Sequence, residues 1–113
     1  MVKIEAVIRP SRVDEVRLAL EDIGVKGISV MEIKGAGRQK GYTQHYRGSE
    51  YQVNLLPKVM VIVVVPDSEQ ERVLEVIEKA AATGEIGDGK IFVTPVIEAV
   101  RIRTGERGDS AVS

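Results

Sequence analysis

The sequence predicts an α+β domain in which two β-α-β units share one sheet. Residues 2–9 alternate between apolar and polar side chains, which is typical of a strand with one buried face. Pro10 ends this strand, and Ser11 is in a suitable position to cap a following helix. Apolar residues across 13–23 recur at spacings of three and four, which predicts that helix. Residues 27–34 are then expected to form a second strand.

The same order of elements recurs around Pro66. Residues 58–65 contain a continuous apolar run, typical of a central strand that is buried on both faces. Ser68, with Glu71 three residues later, has the spacing of a capping box. An apolar stripe across residues 73–80 predicts the second helix.

The final part of the chain completes the second unit. Residues 83–90 form a glycine-rich turn, and residues 91–103 predict one or two strands broken near Pro95. Residues 104–113 form a polar tail that we expect to be mobile. Two β-α-β units in this order give the ferredoxin-like double βαβ sandwich, so residues 1–113 are expected to form one domain.

The second face of the predicted sheet needs a cover. Both helices of a ferredoxin-like domain lie on one face, yet Met31, Ile33 and the run 59–65 place apolar side chains on both faces. No predicted segment remains to cover the second face. Self-association is the simplest solution, and a monomer with some exposed valines is the alternative.

Composition excludes several classes of function. The 113 residues include 16 Lys plus Arg and 17 Asp plus Glu, and a net charge of -1 argues against a general nucleic-acid binder. No cysteine is present, which excludes disulfides and thiolate metal sites, and His45 is the one histidine. The chain shows no signal peptide and no apolar run of ~20 residues, so we expect a cytoplasmic protein without membrane insertion.

Residues 37–57 form a long segment between the predicted second and third strands. The segment is rich in glycine and polar residues, contains all three tyrosines and has no sustained apolar period. A loop of ~20 residues in a small domain is commonly functional, and we expect this one to be mobile. Gln39 and Lys58 flank it, so both could face one ligand if its ends are close together.

The glycine-rich turn is a candidate for anion binding. Residues 84–90 fit the GxxxxGK pattern of a P-loop, but Ile91 occupies the place of the Ser or Thr that holds magnesium. The turn also leads from helix to strand, which is the reverse of a P-loop, so we reject that interpretation. Closely spaced glycines still let backbone N–H groups converge on an anion, and Lys90 adds charge. A merely flexible turn is the alternative.

Arg101 and Arg103 are a second candidate for phosphate binding. They are two residues apart in a predicted strand, so their side chains are expected on one face. Paired guanidinium groups suit phosphate oxygens, although an ordinary solvated strand edge explains the same pattern. An enzyme is not favoured, because His45 has no evident acidic partner and no catalytic triad is indicated.

Three segments together resemble the signature loops of the P-II signal proteins, in that family's order and spacing. They are GRQKGYTQHYRGSEYQVNLLPK (37–58), TGEIGDGKIFVTPV (83–96) and RIRTGE (101–106). The resemblance covers residues 1–106. It implies a barrel-like homotrimer with the sheets turned inward, and three sites for ATP or ADP in clefts between neighbouring subunits.

The resemblance also implies a set of ligand-binding residues. In it, Arg101 and Arg103 come from the neighbouring subunit, Gln39 ligates Mg²⁺, and Lys58 pairs with a carboxylate of 2-oxoglutarate. The implied nucleotide-binding residues are Ser29, Gly35, Gly37, Arg38, Val64, Gly87, Asp88, Gly89, Lys90, Arg101 and Arg103. The implied 2-oxoglutarate-binding residues are Gly37, Gln39, Lys40, Gly41 and Lys58.

The long loop carries the implied regulatory positions. Tyr51 matches a nucleotidylated tyrosine, Ser49 matches a serine that is phosphorylated in some members, and Arg47 matches an arginine that enters ammonium-channel pores. The chain departs from the family at Gln44, where Glu is common, and at Leu55-Leu56, where Phe-Leu is frequent. Neither departure falls on an implied ligand position.

The function implied is that of a non-enzymatic regulator. It would sense ATP, ADP and 2-oxoglutarate and control an ammonium channel, or enzymes and regulators of nitrogen metabolism, through the mobile loop. A nucleotide-only sensor and a small phosphate hydrolase of the same fold are the alternatives. A ferredoxin-like RNA binder is disfavoured, because Phe92 is the one aromatic residue of the predicted sheet.

Overall fold

The computed structural model describes residues 1–36, 43–46, 49–52 and 55–113, with the backbone alone described for 43–46 and 49–52. Its strands are β1 (Val2–Ile8), β2 (Ser29–Gly35), β3 (Thr43–Tyr46), β4 (Ser49–Gln52), β5 (Leu56–Val65) and β6 (Lys90–Pro95). Its α-helices are α1 (Val13–Asp22), α2 (Gln70–Ala81) and α3 (Asp109–Val112). Short 3₁₀ turns, Pro10–Arg12 and Asp67–Glu69, precede α1 and α2.

Four of the strands form an antiparallel sheet in the order β2-β5-β1-β6. With α1 between β1 and β2, and α2 between β5 and β6, this is the predicted β-α-β-β-α-β arrangement. The two central strands, β1 and β5, belong to different units, so neither β-α-β unit can form the sheet alone. Strands β3 and β4 pair separately as a two-stranded sheet.

The core lies between one face of the sheet and the two long helices. Alternate residues of β1 and β5 point into it, as period-two patterning requires. The buried strand residues are Val2, Ile4, Ala6, Ile8, Val59, Val61, Val63 and Val65. The buried helix residues are Val16, Leu20, Val73, Ile77 and Ala81. Each fully buried Val, Leu or Ile side chain stabilises the fold by roughly 1.5–3 kcal/mol, which an aliphatic core supplies without aromatic residues.

The opposite face of the sheet is also partly apolar, as predicted, but β5 is not buried on both faces, because its residues on this face are only partly buried in the single chain. Met31 lies opposite Met60, and Glu5 lies between Ile62 and Phe92 in the strand register. Met31 and Phe92 are each about half exposed, at 49% and 52%. The helices α1 and α2 pack on the other face, so the chain itself leaves these apolar side chains accessible.

Both predicted serine caps are wrong. Ser11 and Ser68 lie inside the 3₁₀ turns, and the residues that precede α1 and α2 are Arg12 and Glu69, neither of which makes a side-chain capping bond. The prolines before the serines explain the shift. Their fixed φ suits the start of a helical turn, so tight turning begins at once and the α-helix follows several residues later.

Of the one or two strands predicted across residues 91–103, one forms, and the predicted break near Pro95 is confirmed. β6 ends at Pro95, and the N–H of Val96 donates to the carbonyl of Met1 at 3.0 Å. Val96 is the last residue that pairs with Met1 or β1, and the chain then leaves the sheet. Val100 forms an isolated bridge with Arg107, and α3 adds one helical turn inside the predicted polar tail.

The predicted loop across residues 37–57 contains two strands that the sequence pattern did not reveal. β3 and β4 pair antiparallel, with Thr43 opposite Gln52 and Tyr46 opposite Ser49, and β5 already begins at Leu56. Both strands are polar, so they lack the apolar alternation by which a half-buried strand is recognised.

No helix in the described part of the chain is both long and apolar enough to cross a membrane.

Candidate functional site

The glycine-rich turn between α2 and β6 is built around the carboxylate of Asp88. One carboxylate oxygen accepts bonds from the backbone N–H groups of Thr83 (2.7 Å) and Gly84 (2.9 Å). The other accepts bonds from the Thr83 hydroxyl (2.5 Å) and from Nε of Arg9 (2.9 Å). The Thr83 hydroxyl and the Arg9 guanidinium, with these backbone N–H groups, hold the pKa of Asp88 well below its usual range. Asp88 therefore closes the turn as a carboxylate.

Gly89 brings the backbone of the turn against β1. Its φ is 101°, and a Cβ at this position would lie 1.7 Å from the carbonyl oxygen of Val7. Gly84 also has a positive φ, 87°, but its Cβ would meet nothing within 4 Å. Gly89 is thus required by a close contact as well as by its conformation, whereas Gly84 is required by conformation alone.

Arg9, the residue after β1, holds the turn from the side of the sheet. Its Nε bonds Asp88, and its Nη2 donates to the carbonyl oxygen of Ile86 at 2.7 Å. The alternation across residues 2–9 predicts only that Arg9 lies on the polar side of the first strand. Strand register was the signal that could have found it, because Ile8 pairs with Val59, and this places Arg9 beside Lys58 at the sheet end.

Lys58 connects the base of the long loop with the same turn. Its Nζ donates to the carbonyl oxygen of Gly87 at 2.5 Å. Partial burial and the positive charge of Arg9 lower the pKa of Lys58, and Asp88 acts in the opposite direction. A Cβ on Gly35 would lie 3.8 Å from the Lys58 side chain, so the end of β2 also reaches this cluster.

The structure divides the predicted ligand residues into two groups. Gly35, Lys58 and residues 87–90 lie together at one end of the sheet. Ser29 pairs with Ile62, and Val64 is six residues beyond Lys58 on β5, which corresponds to roughly 20 Å along a strand. One chain therefore does not bring Ser29 and Val64 to the glycine-rich turn.

Arg101 and Arg103 do not share a strand face, so that prediction is wrong. Both follow the last strand, and residues 102–104 form a turn. The Arg101 guanidinium pairs with the Glu106 carboxylate at 3.0 Å and also donates to the carbonyl oxygens of Ser110 and Ser113. Arg103 is exposed and makes no hydrogen bond or ion pair within the described ranges. These contacts hold the Arg101 side chain, whereas no described contact holds that of Arg103.

Several predicted positions lie outside the described residues. These are Gly37, Arg38, Gln39, Lys40, Gly41 and Arg47. Ser49 and Tyr51 lie in β4, where their backbones pair with Tyr46 and Gln44. Among the residues that the structure does describe, no group of three or more His, Asp or Glu side chains could hold a metal ion.

A shallow cavity adjoins the turn. It has a volume of about 270 Å³ and is lined by Val7, Ala81, Gly89 and Lys90 among others. Typical ligand pockets have roughly 300–1,000 Å³ and enclose most of their ligand. The lining also includes Glu78 and Asp88 beside Lys90, so the described residues of one chain provide only part of a site for an anionic ligand.

Comparison with known proteins agrees with the resemblance seen in the three segments. The family model described as "Nitrogen regulatory protein P-II" matches residues 1–106. Proteins named nitrogen regulatory protein P-II from Azospirillum brasilense and Rhodospirillum rubrum are 62% and 58% identical to the chain over 112 residues. One of the same name from Microchaete diplosiphon is 54% identical over 112 residues. Each match covers 99% of this chain and 100% of the relative. The chain therefore belongs to the P-II family of nitrogen regulatory proteins.

Proposed function

We propose that this protein is a non-enzymatic sensor of ATP, ADP and 2-oxoglutarate that controls partners in nitrogen metabolism through residues 37–57. Family membership supports the general role of a signalling regulator. The observation that carries the ligand proposal is the glycine-rich turn, which three cationic residues surround: Arg9, Lys58 and Lys90.

The turn suits phosphate because of its backbone. Gly87 and Gly89 have positive φ angles of 103° and 101°, which orient consecutive peptide groups in ways that other residues rarely allow. Gly89 lets the turn lie directly against the Val7 carbonyl, where a Cβ would overlap it, and Lys90 is exposed at the edge of the adjoining cavity. A charged hydrogen bond contributes roughly 1.5–3 kcal/mol, so Lys90 and the turn amides would supply useful affinity. Asp88 would contribute its backbone, because its carboxylate is used within the turn.

A homotrimer would bring the two groups of predicted residues together. Ser29, Val64, Arg101 and Arg103 of one copy would complete the site that begins at the glycine-rich turn of its neighbour. The half-exposed apolar face of the sheet supports such an assembly, as do Ile97 and Ile102, which are 99% and 98% exposed in the single chain.

The effector 2-oxoglutarate would bind at the base of the long loop. Lys58 lies there and contacts the turn, so its ammonium group can face a carboxylate beside the nucleotide phosphates. Gln39 and the neighbouring backbone N–H groups of residues 37–41 would complete the site. Magnesium, a hard cation with octahedral geometry, would supply a bridge between phosphate and oxoacid oxygens.

Regulation would follow from loop conformation. Ordering a backbone costs roughly 1–2 kcal/mol per residue, so a loop of this length is expected to order only with a ligand or partner. ATP with 2-oxoglutarate would favour one arrangement and ADP another, and partners such as an ammonium channel or an enzyme of nitrogen metabolism would select between them. Arg47 would contact a partner, and Tyr51 or Ser49 would be positions for modification.

Calorimetry tests this proposal directly. With magnesium and ATP present, 2-oxoglutarate should bind saturably, and with ADP or EDTA it should bind little. Lys58→Met should abolish effector binding and weaken ATP much less, through the loss of its one bond to the Gly87 carbonyl oxygen, whereas Lys79→Met, on the exposed side of α2, should change neither. The coupling must be reciprocal, so 2-oxoglutarate should tighten ATP by the factor by which ATP tightens 2-oxoglutarate.

Other outcomes would identify a different protein of the same fold. ATP binding without any 2-oxoglutarate binding would indicate a nucleotide-only sensor, and steady turnover of ATP would indicate a phosphate hydrolase. Light scattering tests the assembly, since a trimer has three times the chain mass of 12.3 kDa. A stable monomer that still binds ATP tightly would contradict the shared site.

A further inference from the structure

We propose that Arg9 and Asp88 form a positioning pair, which holds the glycine-rich turn in its phosphate-binding shape while neither side chain contacts phosphate. This inference rests on the proposed function, because it concerns how the same turn binds nucleotide. Its elements are the Asp88 carboxylate, the Arg9 guanidinium and the backbone of residues 83–88.

The Asp88 carboxylate is fully used within the protein. Each of its oxygens accepts two hydrogen bonds, from groups of Thr83, Gly84 and Arg9. A carboxylate would also repel a phosphate that approached it. Its side chain therefore acts on a ligand through the turn that it closes.

The Arg9 guanidinium fixes that turn relative to the sheet. Two of its nitrogens donate to the turn, one to Asp88 and one to the Ile86 carbonyl. Arg9 directly follows β1, a central strand of the sheet, and is separated from Asp88 by 79 residues in sequence. Such a two-point contact sets the orientation of a turn as well as its distance, because a guanidinium is planar and its donors diverge at fixed angles.

The close approach at Gly89 explains why the position of the turn relative to β1 matters for binding. Because a Cβ there would overlap the Val7 carbonyl, the turn backbone and β1 are already in close contact. Without the Arg9–Asp88 contact, the turn can move away from β1 and carry Gly87, Gly89 and the start of β6 with it. Nucleotide affinity should then decrease, although no group that binds phosphate has been removed.

A double-mutant cycle separates positioning from direct binding, with ADP as the probe in calorimetry. Arg9→Met and Asp88→Asn should each lower ADP affinity about tenfold. The double variant should bind ADP about as tightly as either single variant, because both substitutions remove the same contact. Arg9→Lys, which retains one of the two contacts, should recover part of the loss. Arg17→Met is the matched control, since Arg17 pairs with Glu21 on the outer side of α1, and it should leave ADP affinity unchanged.

Each alternative outcome gives a decision. If wild-type protein does not bind ADP, the proposed function fails and this inference fails with it. If wild type binds and Arg9→Met binds equally well, only the inference is overturned. If the losses of the single variants multiply in the double variant, Arg9 is a direct phosphate ligand and the positioning role is wrong. Should Asp88→Asn fail to fold, Thr83→Val takes its place in the cycle, because it removes a donor to the same carboxylate oxygen as Arg9.

Discussion

The glycine-rich turn and the C-terminal segment, residues 96–113, both contain predicted phosphate-binding residues, but they are held in different ways. The turn is bound by Arg9 and Lys58, which lie 77–79 and 29 residues away from their partners in the sequence. In the C-terminal segment, Arg101 is bound by residues only 5–12 positions further on. The turn, which Asp88 closes locally, is thus also anchored to the sheet, whereas Arg101 is held by its own segment alone.

The glycine-rich turn is therefore a preformed half of the proposed site. Arg101 belongs to the other half, in which existing contacts must be exchanged before phosphate can bind. Binding phosphate at the turn requires no exchange of the described side-chain contacts of Asp88. Binding phosphate at Arg101 requires the guanidinium to leave Glu106 and two carbonyl oxygens, or to share its donors with them. Preorganised groups contribute more of their interaction energy to affinity, so the two halves should respond differently to substitution.

Gly89→Ala should have the largest effect. The new methyl group would overlap the Val7 carbonyl oxygen in a backbone conformation that already disfavours a side chain. We expect a loss of about 3 kcal/mol in the free energy of unfolding, together with nucleotide binding too weak to measure at normal concentrations. Gly84→Ala is the control, with positive φ but open space around its Cβ, and should cost about 1 kcal/mol. Thermal unfolding and calorimetry measure both, and equal effects would contradict the close contact.

Lys90→Ala should have the next largest effect. The variant removes an exposed cation beside the cavity and no described hydrogen bond of the turn. ATP affinity should decrease at least about tenfold without change in the oligomer or in thermal stability. Lys79→Ala, an exposed lysine of α2, should bind ATP like the wild type. Unchanged affinity of Lys90→Ala would mean that the turn does not bind phosphate through this lysine.

Glu106→Gln tests the half that must change partners, with a smaller effect of opposite sign. The substitution weakens the ion pair with Arg101, so less energy is needed to release the guanidinium for phosphate. Because exposed ion pairs contribute up to about 1 kcal/mol, ATP should bind up to about fivefold more tightly. Glu69→Gln, which weakens the ion pair with Arg72 near α2, should have no effect on ATP. Weaker ATP binding by Glu106→Gln would show that the pair positions Arg101 and does not compete for it.

The pH dependence of the turn should be the smallest effect under physiological conditions. The pKa of Asp88 is lower in the folded protein than in the unfolded chain, where it is about 3.9. The carboxylate therefore contributes fully to the free energy of unfolding above that pH, and the contribution is lost progressively as pH falls below it. Asp88→Asn should therefore be less stable than wild type at neutral pH, and the difference should shrink in acid. Unfolding curves at several pH values measure this, and a difference independent of pH would contradict a carboxylate role.

The sequence predicted those parts of the fold that depend on apolar periodicity. The alternation of Ile4, Ala6 and Ile8 and the apolar run of β5 indicated the central strands, and the stripe containing Val73 and Ile77 indicated α2. These residues are buried in the structure, because apolar residues recur at the period of a strand or helix when one face of that element packs into the core. The polar strands β3 and β4 were missed, since pairing through the backbone leaves no apolar pattern in the sequence.

The candidate site was predictable only in part. Glycine spacing and Lys90 revealed the turn, because conformational freedom and charge are local properties of the residues themselves. The roles of Arg9 and Asp88 depend on a contact across 79 residues of sequence, which periodicity does not report. Arg101 was misplaced because its spacing from Arg103 has structural meaning only within a strand, and the strand ends at Pro95.

The way in which Asp88 closes the turn has a consequence for amide hydrogen exchange. Thr83 and Gly84 are exposed to solvent, yet their N–H groups are bonded to the same carboxylate oxygen. Exchange at these two amides requires the carboxylate to release them, so it reports the opening of the turn and not the unfolding of the core. The exchange rates of these two amides, on an otherwise solvated surface, would therefore measure how often the turn opens.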